Sequence, residues 1–253
     1  MAKVTLVGLR YSPWTQKARW ALDHHGIGYR FEDYLPIVGA PMLRLRSGNY
    51  RAKLSVPVLL TPHGSLAGGM AIARHADNIG DGTKLVDGRE KAVEDWNDAS
   101  DRALEAARGL VIRAMLESPR AQEESVPLPL PLALKRPIAR FGGVMVARKW
   151  GVRHADPSES EASLIGVLDR LRSALSAGSA RAKEDTYLLG AAFSYADIAM
   201  ASIVQTIKPA ADRWIRLGPG LRDAWTRTEL ATRYDDLITW RDRLFEKHRV
   251  VRA

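Results

Sequence analysis

The sequence contains no cysteine among its 253 residues. A chain without a thiol can form no disulfide and no cysteine-ligated metal site, and it has no thiolate nucleophile of its own. Any sulfur chemistry that this protein performs therefore has to use the sulfur of another molecule.

Long apolar runs are also missing. The N-terminal stretch MAKVTLVGLR lacks the apolar core of a signal peptide, and no apolar run reaches the roughly 18 residues that a membrane-spanning helix requires. We therefore expect a cytoplasmic protein without a membrane span.

Several signatures of catalytic and binding sites do not occur. No glycine-rich loop is followed by Lys-Ser or Lys-Thr, and no serine lies in a nucleophile elbow, so we expect neither a P-loop nor a hydrolase triad. The adjacent His24 and His25 cannot both face one metal ion, because helical ligand pairs are spaced four residues apart. The sequence predicts no metal site.

The net charge of +9 raises nucleic acid as a partner. The basic residues are scattered along the chain, however, and no basic run is interleaved with aromatic residues. We therefore do not expect nucleic-acid binding.

The stretch from Val4 to Leu22 contains a short apolar strand, a turn and the start of a helix. Pro13 suits the first position of that helix, and Ser12 suits the capping position before it. A strand that runs so abruptly into a helix directs the free N–H groups and the Ser12 hydroxyl to one point. The stretch therefore predicts a site for a phosphate, a carboxylate or a thiolate.

Residues 1–80 have the pattern of a small α/β domain. The sequence predicts a second strand at Tyr29 to Asp33, a third that starts near Val56-Pro57, and a helix from Met70 to Asn78. A proline cannot donate a hydrogen bond inside a sheet, so Pro57 marks the start of a strand or a cis bond, and we predict that the Val56-Pro57 bond is cis.

Residues 81–90, which are rich in glycine and polar residues, are predicted to be a linker. The periodicity of residues 91–253 is helical throughout. Apolar residues spaced by three and four positions predict one long amphipathic helix from Val93 to Met115.

The segment from Phe193 to Asp197 has the pattern of a capping box, in which Ser194 and Asp197 cap each other's backbone N–H groups. The helix from Ile198 to Ile207 is apolar nearly all round, so we expect it at the centre of the helical domain. The tail from His248 to Ala253 is expected to fray.

In their order and spacing, four stretches resemble the glutathione transferase family, over nearly the whole chain. They are Ser12 to Arg19, Ser55 to Leu59, Ala71 to Arg74 and Phe193 to Asp197. The resemblance implies a thioredoxin-like N-terminal domain that binds glutathione and an all-helical C-terminal domain that supplies the pocket for an electrophile. It also implies a homodimer.

The resemblance further implies roles for individual residues. Ser12 matches the catalytic serine that, in the serine classes of the family, donates a hydrogen bond to the glutathione sulfur; without the resemblance it would be interpreted as a helix cap. Val56 and the cis-proline Pro57 would bind the cysteinyl part of glutathione, and Lys53 is either a contact for the glycyl carboxylate or a surface lysine. The expected pocket for the electrophile is lined by Tyr11, Trp14, Val111 and Met115.

Gly68 and Gly69 depart from the family pattern, which usually has Glu-Ser or Asp-Ser there to hold the γ-glutamyl group. Only the backbone N–H of Gly69 remains as a contact. Two missing charge-assisted hydrogen bonds predict glutathione binding weaker by roughly tenfold to several-hundredfold, unless Arg10, Arg74 or a partner subunit compensates.

The sequence thus favours a glutathione transferase-like enzyme in which Ser12 activates the glutathione thiol for attack on a small apolar electrophile. Two alternatives stay open. The first is a non-catalytic binding or assembly protein that has lost glutathione binding, as Gly68-Gly69 suggest. The second is a specialised isomerase or lyase with the same fold.

Overall fold

The computed structural model describes most of the chain, in six segments. They are residues 4–35, 39–50, 55–126, 130–152, 155–179 and 186–250. The N-terminal part is an α/β unit, and the remainder is helical, so the expected fold class is confirmed.

The described residues of the α/β unit form four strands and three helices. In chain order they are β1 (Thr5–Gly8), α1 (Pro13–His24), β2 (Arg30–Asp33), α2 (Ala40–Ser47), β3 (Val58–Thr61), β4 (Gly64–Ala67) and α3 (Gly69–Ile79). The strand order across the sheet is β2-β1-β3-β4. β1 is parallel to β2 and antiparallel to β3, which is antiparallel to β4.

The alternation of side chains along β1 and β3 gives the sheet two apolar faces. Leu6 lies opposite Leu59, and both pack with residues of α1 and α3 on one face. The neighbouring pair, Val7 and Val58, packs with Leu43 of α2 on the other face. The sheet is therefore covered on both sides.

Eight helices form the rest of the described structure. They are α4 (Glu90–Glu117), α5 (Pro119–Ser125), α6 (Leu132–Lys149), α7 (Pro157–Ser179), α8 (Tyr195–Val204), α9 (Pro219–Trp225), α10 (Thr228–Arg233) and α11 (Asp235–His248). Every residue of α8 is buried, and α8 packs against α1, α4 and α11. The prediction of a buried central helix is confirmed.

The start of α8 has the predicted capping box. The Asp197 carboxylate accepts hydrogen bonds from the Ser194 backbone N–H at 2.9 Å, from the Ser194 Oγ at 2.7 Å and from the Leu188 N–H at 2.8 Å. Burial raises the pKa of Asp197 to about 6. The hydrogen bond from Leu188 to Asp197 ties the loop before α8 to the start of the helix.

The segment between α3 and α4 is anchored rather than free. Its two apolar residues, Leu85 and Val86, are buried in the same core as α4 and α8. Their backbone N–H groups donate to the Asp77 carboxylate at 2.9 and 2.8 Å. The α/β unit and the helices thus share one core, and the division of the chain at residues 81–90 stays a prediction.

The end of α11 differs from the sequence expectation. Arg249 is buried, and its guanidinium donates to the Gln16 side chain at 2.9 Å. The Trp20 indole N–H donates to the carbonyl of His248 at 3.1 Å. The prediction that the chain frays from His248 onwards is wrong for these two residues, because their polar groups are bonded to α1; residues 251–253 lie outside the described part.

Candidate functional site

Ser12 lies at the N-cap of α1, just after the turn that follows β1. Its N–H donates to the Leu9 carbonyl at 3.0 Å, and its carbonyl accepts from the Gln16 N–H at 2.9 Å. Its side chain makes no capping hydrogen bond, although the residue is only 9% exposed. The Ser12 hydroxyl is therefore not engaged in capping α1.

The turn before Ser12 is held by its neighbours. The Leu9 N–H donates to the Thr15 hydroxyl at 3.3 Å, and the Gln16 side chain donates to the Arg10 carbonyl. Arg249 in turn holds Gln16. Ser12 is thus positioned by both the first turn of α1 and the C-terminal end of the chain.

Val56 and Pro57 lie at the same end of the central strands as Ser12. β1 and β3 are antiparallel with Val7 opposite Val58, so the end of β1 and the beginning of β3 are neighbours. The Val56-Pro57 bond is cis, as predicted. Lys53 lies outside the described residues.

Gly68 and Gly69 form the start of α3, next to Pro57. The Gly68 N–H donates to the Pro57 carbonyl at 3.0 Å. Gly68 has a φ of +87° and open space where a Cβ would lie, whereas a Cβ at position 69 would meet the Tyr195 hydroxyl and, at 3.2 Å, the Cβ of Lys17. The positive φ therefore favours glycine at position 68, and the neighbouring atoms leave no room for a Cβ at position 69.

A polar cluster centred on the buried Lys17 lies next to this site. The Lys17 ammonium donates to Asn97 at 3.2 Å and to Asp101 at 2.9 Å, both on α4. Burial lowers the pKa of Lys17, and the Asp101 carboxylate opposes that shift. The cluster connects α1 to α4 and thereby fixes the α/β unit on the helices.

The two arginines that were expected to compensate for the double glycine are both in ion pairs. Arg10 donates to the Asp33 carboxylate at 2.9 Å, and Arg74 donates to Glu94. Both pairs are exposed. A γ-glutamyl group at either guanidinium would therefore compete with a surface ion pair, and such pairs are individually weak.

The residues expected to form the pocket for the electrophile come together only in part. Three of them are half-buried and pack against one apolar cluster: Tyr11 just before α1, Trp14 in its first turn and Met115 of α4. Burial raises the pKa of Tyr11 to about 12, which keeps its hydroxyl protonated. Val111 is 3% exposed, so it lies beneath the surface of α4.

Other aromatic and cationic residues at this place were not expected from the sequence. The Trp225 ring of α9 packs edge-on against the Tyr11 ring, with 6.2 Å between centroids. Arg108 of α4 lies over the Trp14 ring and also over the Trp150 ring. Arg108 borders the apolar stripe of α4 in the sequence, but the positions of Trp150 and Trp225 have no local signal.

No helix of the described segments is long and apolar enough to cross a membrane. Within the same segments, no three histidine, aspartate or glutamate side chains are placed to hold a metal ion.

Comparison with known proteins agrees with this geometry. Residues 6–84 match the family model for the N-terminal domain of glutathione S-transferases. This part of the chain is therefore similar to the N-terminal domain of that family. A probable glutathione S-transferase of Solanum tuberosum is 33% identical over 86 residues, which are 34% of this chain and 38% of that protein. The similarity in sequence thus spans well under half the length of this relative.

Solved glutathione transferases share the fold over nearly the whole chain. One from Phanerochaete chrysosporium has a TM-score of 0.63 at 17% identity and 99% coverage of both chains. One from Ceriporiopsis subvermispora, in complex with glutathione, has a TM-score of 0.61 at 20% identity, also with 99% coverage of both. One from Methylobacterium radiotolerans, in complex with glutathione sulfonate, has a TM-score of 0.58 at 16% identity, covering 97% of this chain and 91% of that one.

Proposed function

We propose that the protein is a glutathione transferase-like enzyme in which Ser12 activates the thiol of bound glutathione. The observation that carries the proposal is the Ser12 hydroxyl, which lies at the start of α1 without making a capping hydrogen bond. The family of residues 6–84 and the glutathione-bound structures of similar fold support it.

The Ser12 hydroxyl and the N-terminus of α1 can supply the free energy that lowers the pKa of the glutathione thiol. A free thiol with a pKa of about 8.5 is only a few per cent thiolate at pH 7, and the thiolate is the nucleophile. Lowering the pKa by about two units requires roughly 2.7 kcal/mol of preference for the anion. One charge-assisted hydrogen bond contributes about 1.5 to 3 kcal/mol, and a helix N-terminus adds about 0.3 to 1. Ser12 and α1 can together supply it.

The rest of glutathione would lie along the residues just before β3 and the start of α3. The backbone of Val56, before the cis Pro57, would pair with the cysteinyl part, and Lys53 would reach the glycyl carboxylate. The N–H of Gly69 would be the contact for the γ-glutamyl group. The electrophile would bind against Tyr11, Trp14 and Met115, with Val111 behind them.

A second candidate function is favoured by the same double glycine. Gly68 and Gly69 offer no side chain to a charged head group, and Arg10 and Arg74 are already in ion pairs. A protein with this site could retain the fold for binding or assembly without glutathione chemistry. Under either function we place the protein in the cytoplasm as a homodimer.

Calorimetric titration of the purified protein with glutathione decides between the two functions. For the enzyme we expect binding in the range from high micromolar to millimolar, and the bound thiol should ionise about two pH units below free glutathione in ultraviolet absorbance. Ser12→Ala should raise the pKa of the bound thiol by at least about one unit with little change in affinity, whereas Ser12→Thr should preserve most of the shift. An absence of binding at several millimolar glutathione would favour the second function.

A further inference from the structure

The guanidinium of Arg108 lies over two tryptophan rings. Its Cζ is 4.4 Å from the centroid of the Trp14 ring and 3.9 Å from that of the Trp150 ring. Arg108 belongs to α4, Trp14 to α1, and Trp150 follows the last residue of α6. A cation of α4 is therefore contacted by rings from two other parts of the chain.

This cation has no hydrogen bond or ion pair within the described segments of the chain. By contrast, Arg113, five residues further along α4, donates to the carbonyls of Val152 and Ala155. A guanidinium has five N–H donors in its plane. In those segments the donors of Arg108 meet no protein acceptor, so they remain available to a ligand.

An unused guanidinium is costly when it is partly removed from water. Arg108 is half-buried, and burial lowers its pKa, against the pull of the Glu105 and Asp101 carboxylates. Cation–π contact with the rings offsets part of that cost. A planar anion offers the remaining compensation, because a carboxylate accepts two parallel hydrogen bonds from the edge of a guanidinium.

The position of Arg108 connects it to the proposed reaction. Trp14 is two residues beyond Ser12, and it packs in the same cluster as Tyr11 and Met115. A ligand group at the edge of Arg108 would therefore lie next to the pocket wall proposed for the electrophile. An apolar body would contact the Trp14 side of that wall, and an acidic group would meet the guanidinium.

We propose that Arg108 determines substrate specificity by binding a carboxylate carried by an aromatic electrophile. This inference rests on the proposed transferase function. It narrows the class of electrophile to an apolar ring system that carries one acidic substituent, in place of a purely apolar compound. The Trp14 and Trp150 rings hold the guanidinium in place before the ligand arrives, so little side-chain entropy is lost on binding.

The test uses two probes of the same shape, 1-naphthoate and its neutral analogue 1-naphthamide. Both are titrated by calorimetry into the full-length wild-type protein, into Arg108→Gln and into Arg102→Gln. Arg102 is an exposed residue of the same helix, so its variant controls for the loss of one positive charge on α4. Glutathione is absent from these titrations.

We expect the wild type to bind 1-naphthoate at least about tenfold more tightly than 1-naphthamide, which corresponds to about 1.4 kcal/mol. Arg108→Gln should abolish this preference while changing the affinity for 1-naphthamide less than about threefold, and Arg102→Gln should preserve it. If Arg108→Gln does not fold, as judged by its melting curve, Arg108→Lys replaces it. Lysine retains the charge without the bidentate fork, so the preference should fall to an intermediate value.

Equal binding of the two probes to the wild type, or no binding of 1-naphthoate, would overturn the proposal. So would a preference that survives in Arg108→Gln, that is lost equally in Arg102→Gln, or that Arg108→Lys leaves at the wild-type value. A separate titration with glutathione distinguishes the two proposals. A protein that fails to bind glutathione but prefers 1-naphthoate through Arg108 would contradict the transferase function and retain the anion site.

Discussion

The hydroxyl of Tyr195 occupies the space that a Cβ atom at Gly69 would need. Tyr195 is the first residue of α8 and is fully buried, and in the described part of the chain its hydroxyl has no hydrogen-bond partner. The start of α3 therefore packs directly on the central helix. Position 69 is constrained by this contact between the two parts of the chain, independently of any ligand.

The contact predicts a compensating pair of substitutions. Gly69→Ala should destabilise the protein by about 1 to 3 kcal/mol, because the methyl group overlaps the Tyr195 hydroxyl. Tyr195→Phe removes that hydroxyl, so the double variant should recover most of the loss. Urea denaturation of the four proteins measures the coupling.

Gly109→Ala on α4 is the matched control, since a Cβ there meets no atom within 4 Å. It should be neutral or stabilise the protein by up to about 1 kcal/mol. If Gly69→Ala were equally destabilising with tyrosine and with phenylalanine at position 195, the explanation by steric overlap would be wrong.

A second prediction concerns the family pattern at this position. Gly68→Glu with Gly69→Ser would supply the missing partners of the γ-glutamyl group, but Gly68 has a positive φ and Gly69 lies against Tyr195. The double variant should therefore lose stability. In a Tyr195→Phe background it should fold and bind glutathione at least about tenfold more tightly than Tyr195→Phe alone, in calorimetric titration. Unchanged affinity in a folded variant would mean that the γ-glutamyl group is held elsewhere.

The sequence predicts those features that depend on neighbouring residues. The stripe of α4 from Val93 to Val111 is buried as its spacing indicates, and the box formed by Ser194 and Asp197 has the hydrogen bonds that the motif requires. In both cases the signal lies within a few turns of one helix. Local periodicity and capping chemistry are then sufficient.

Contacts between distant residues could not be predicted in this way. The Tyr195 hydroxyl meets Gly69 only because α8 crosses the start of α3, and Arg108 meets Trp150 only because α6 returns to α4. Apolar patterning specifies that a helix is buried without specifying what covers it. The side chains that shape the candidate site are therefore the least predictable part of the molecule.

The third prediction follows from the pKa of Asp197, which burial raises from 3.8 to about 6. A carboxyl group with a raised pKa binds its proton more tightly in the folded state. Its contribution to stability is therefore complete below about pH 4 and is lost as the pH rises through 6. The free energy of unfolding of the wild type, relative to Asp197→Asn, should fall by at most about 3 kcal/mol over this interval.

Chemical denaturation at several pH values between 3.5 and 7.5 measures this difference. Asp98→Asn, the loss of an exposed carboxylate on α4, is the control for a general change in charge. A difference between the wild type and Asp197→Asn that is constant, or that rises with pH, would show that folding does not raise the pKa of Asp197.

The fourth prediction concerns the buried pair of Arg249 and Asp23. Their side chains are 3% and 2% exposed and lie 3.7 Å apart, and burial lowers the pKa of Arg249 to about 10. Removing one partner leaves the other charge buried, so Arg249→Met should cost about 3 to 5 kcal/mol. Asp23→Asn combined with Arg249→Met should cost clearly less than the sum of the two single variants. The exposed Arg243→Met on α11 should stay within about 0.5 kcal/mol of the wild type.

The last prediction tests the proposed homodimer through α6. This helix exposes large apolar side chains at Leu132, Leu134, Ile138, Phe141 and Val144. Phe141 is 66% exposed in the single chain, and apolar patches of this kind mark interfaces. We expect light scattering to give twice the 28.0 kDa of one chain, and we expect Ile138→Asp with Phe141→Asp to give the monomer.

Leu45→Asp, at an exposed apolar residue of α2, should leave the dimer intact, because it lies outside the α6 face. A wild type that stays monomeric at about 100 μM, or a dimer that tolerates both charges on α6, would exclude this face as the interface, whereas dissociation caused by Leu45→Asp alone would place the interface on the α/β unit.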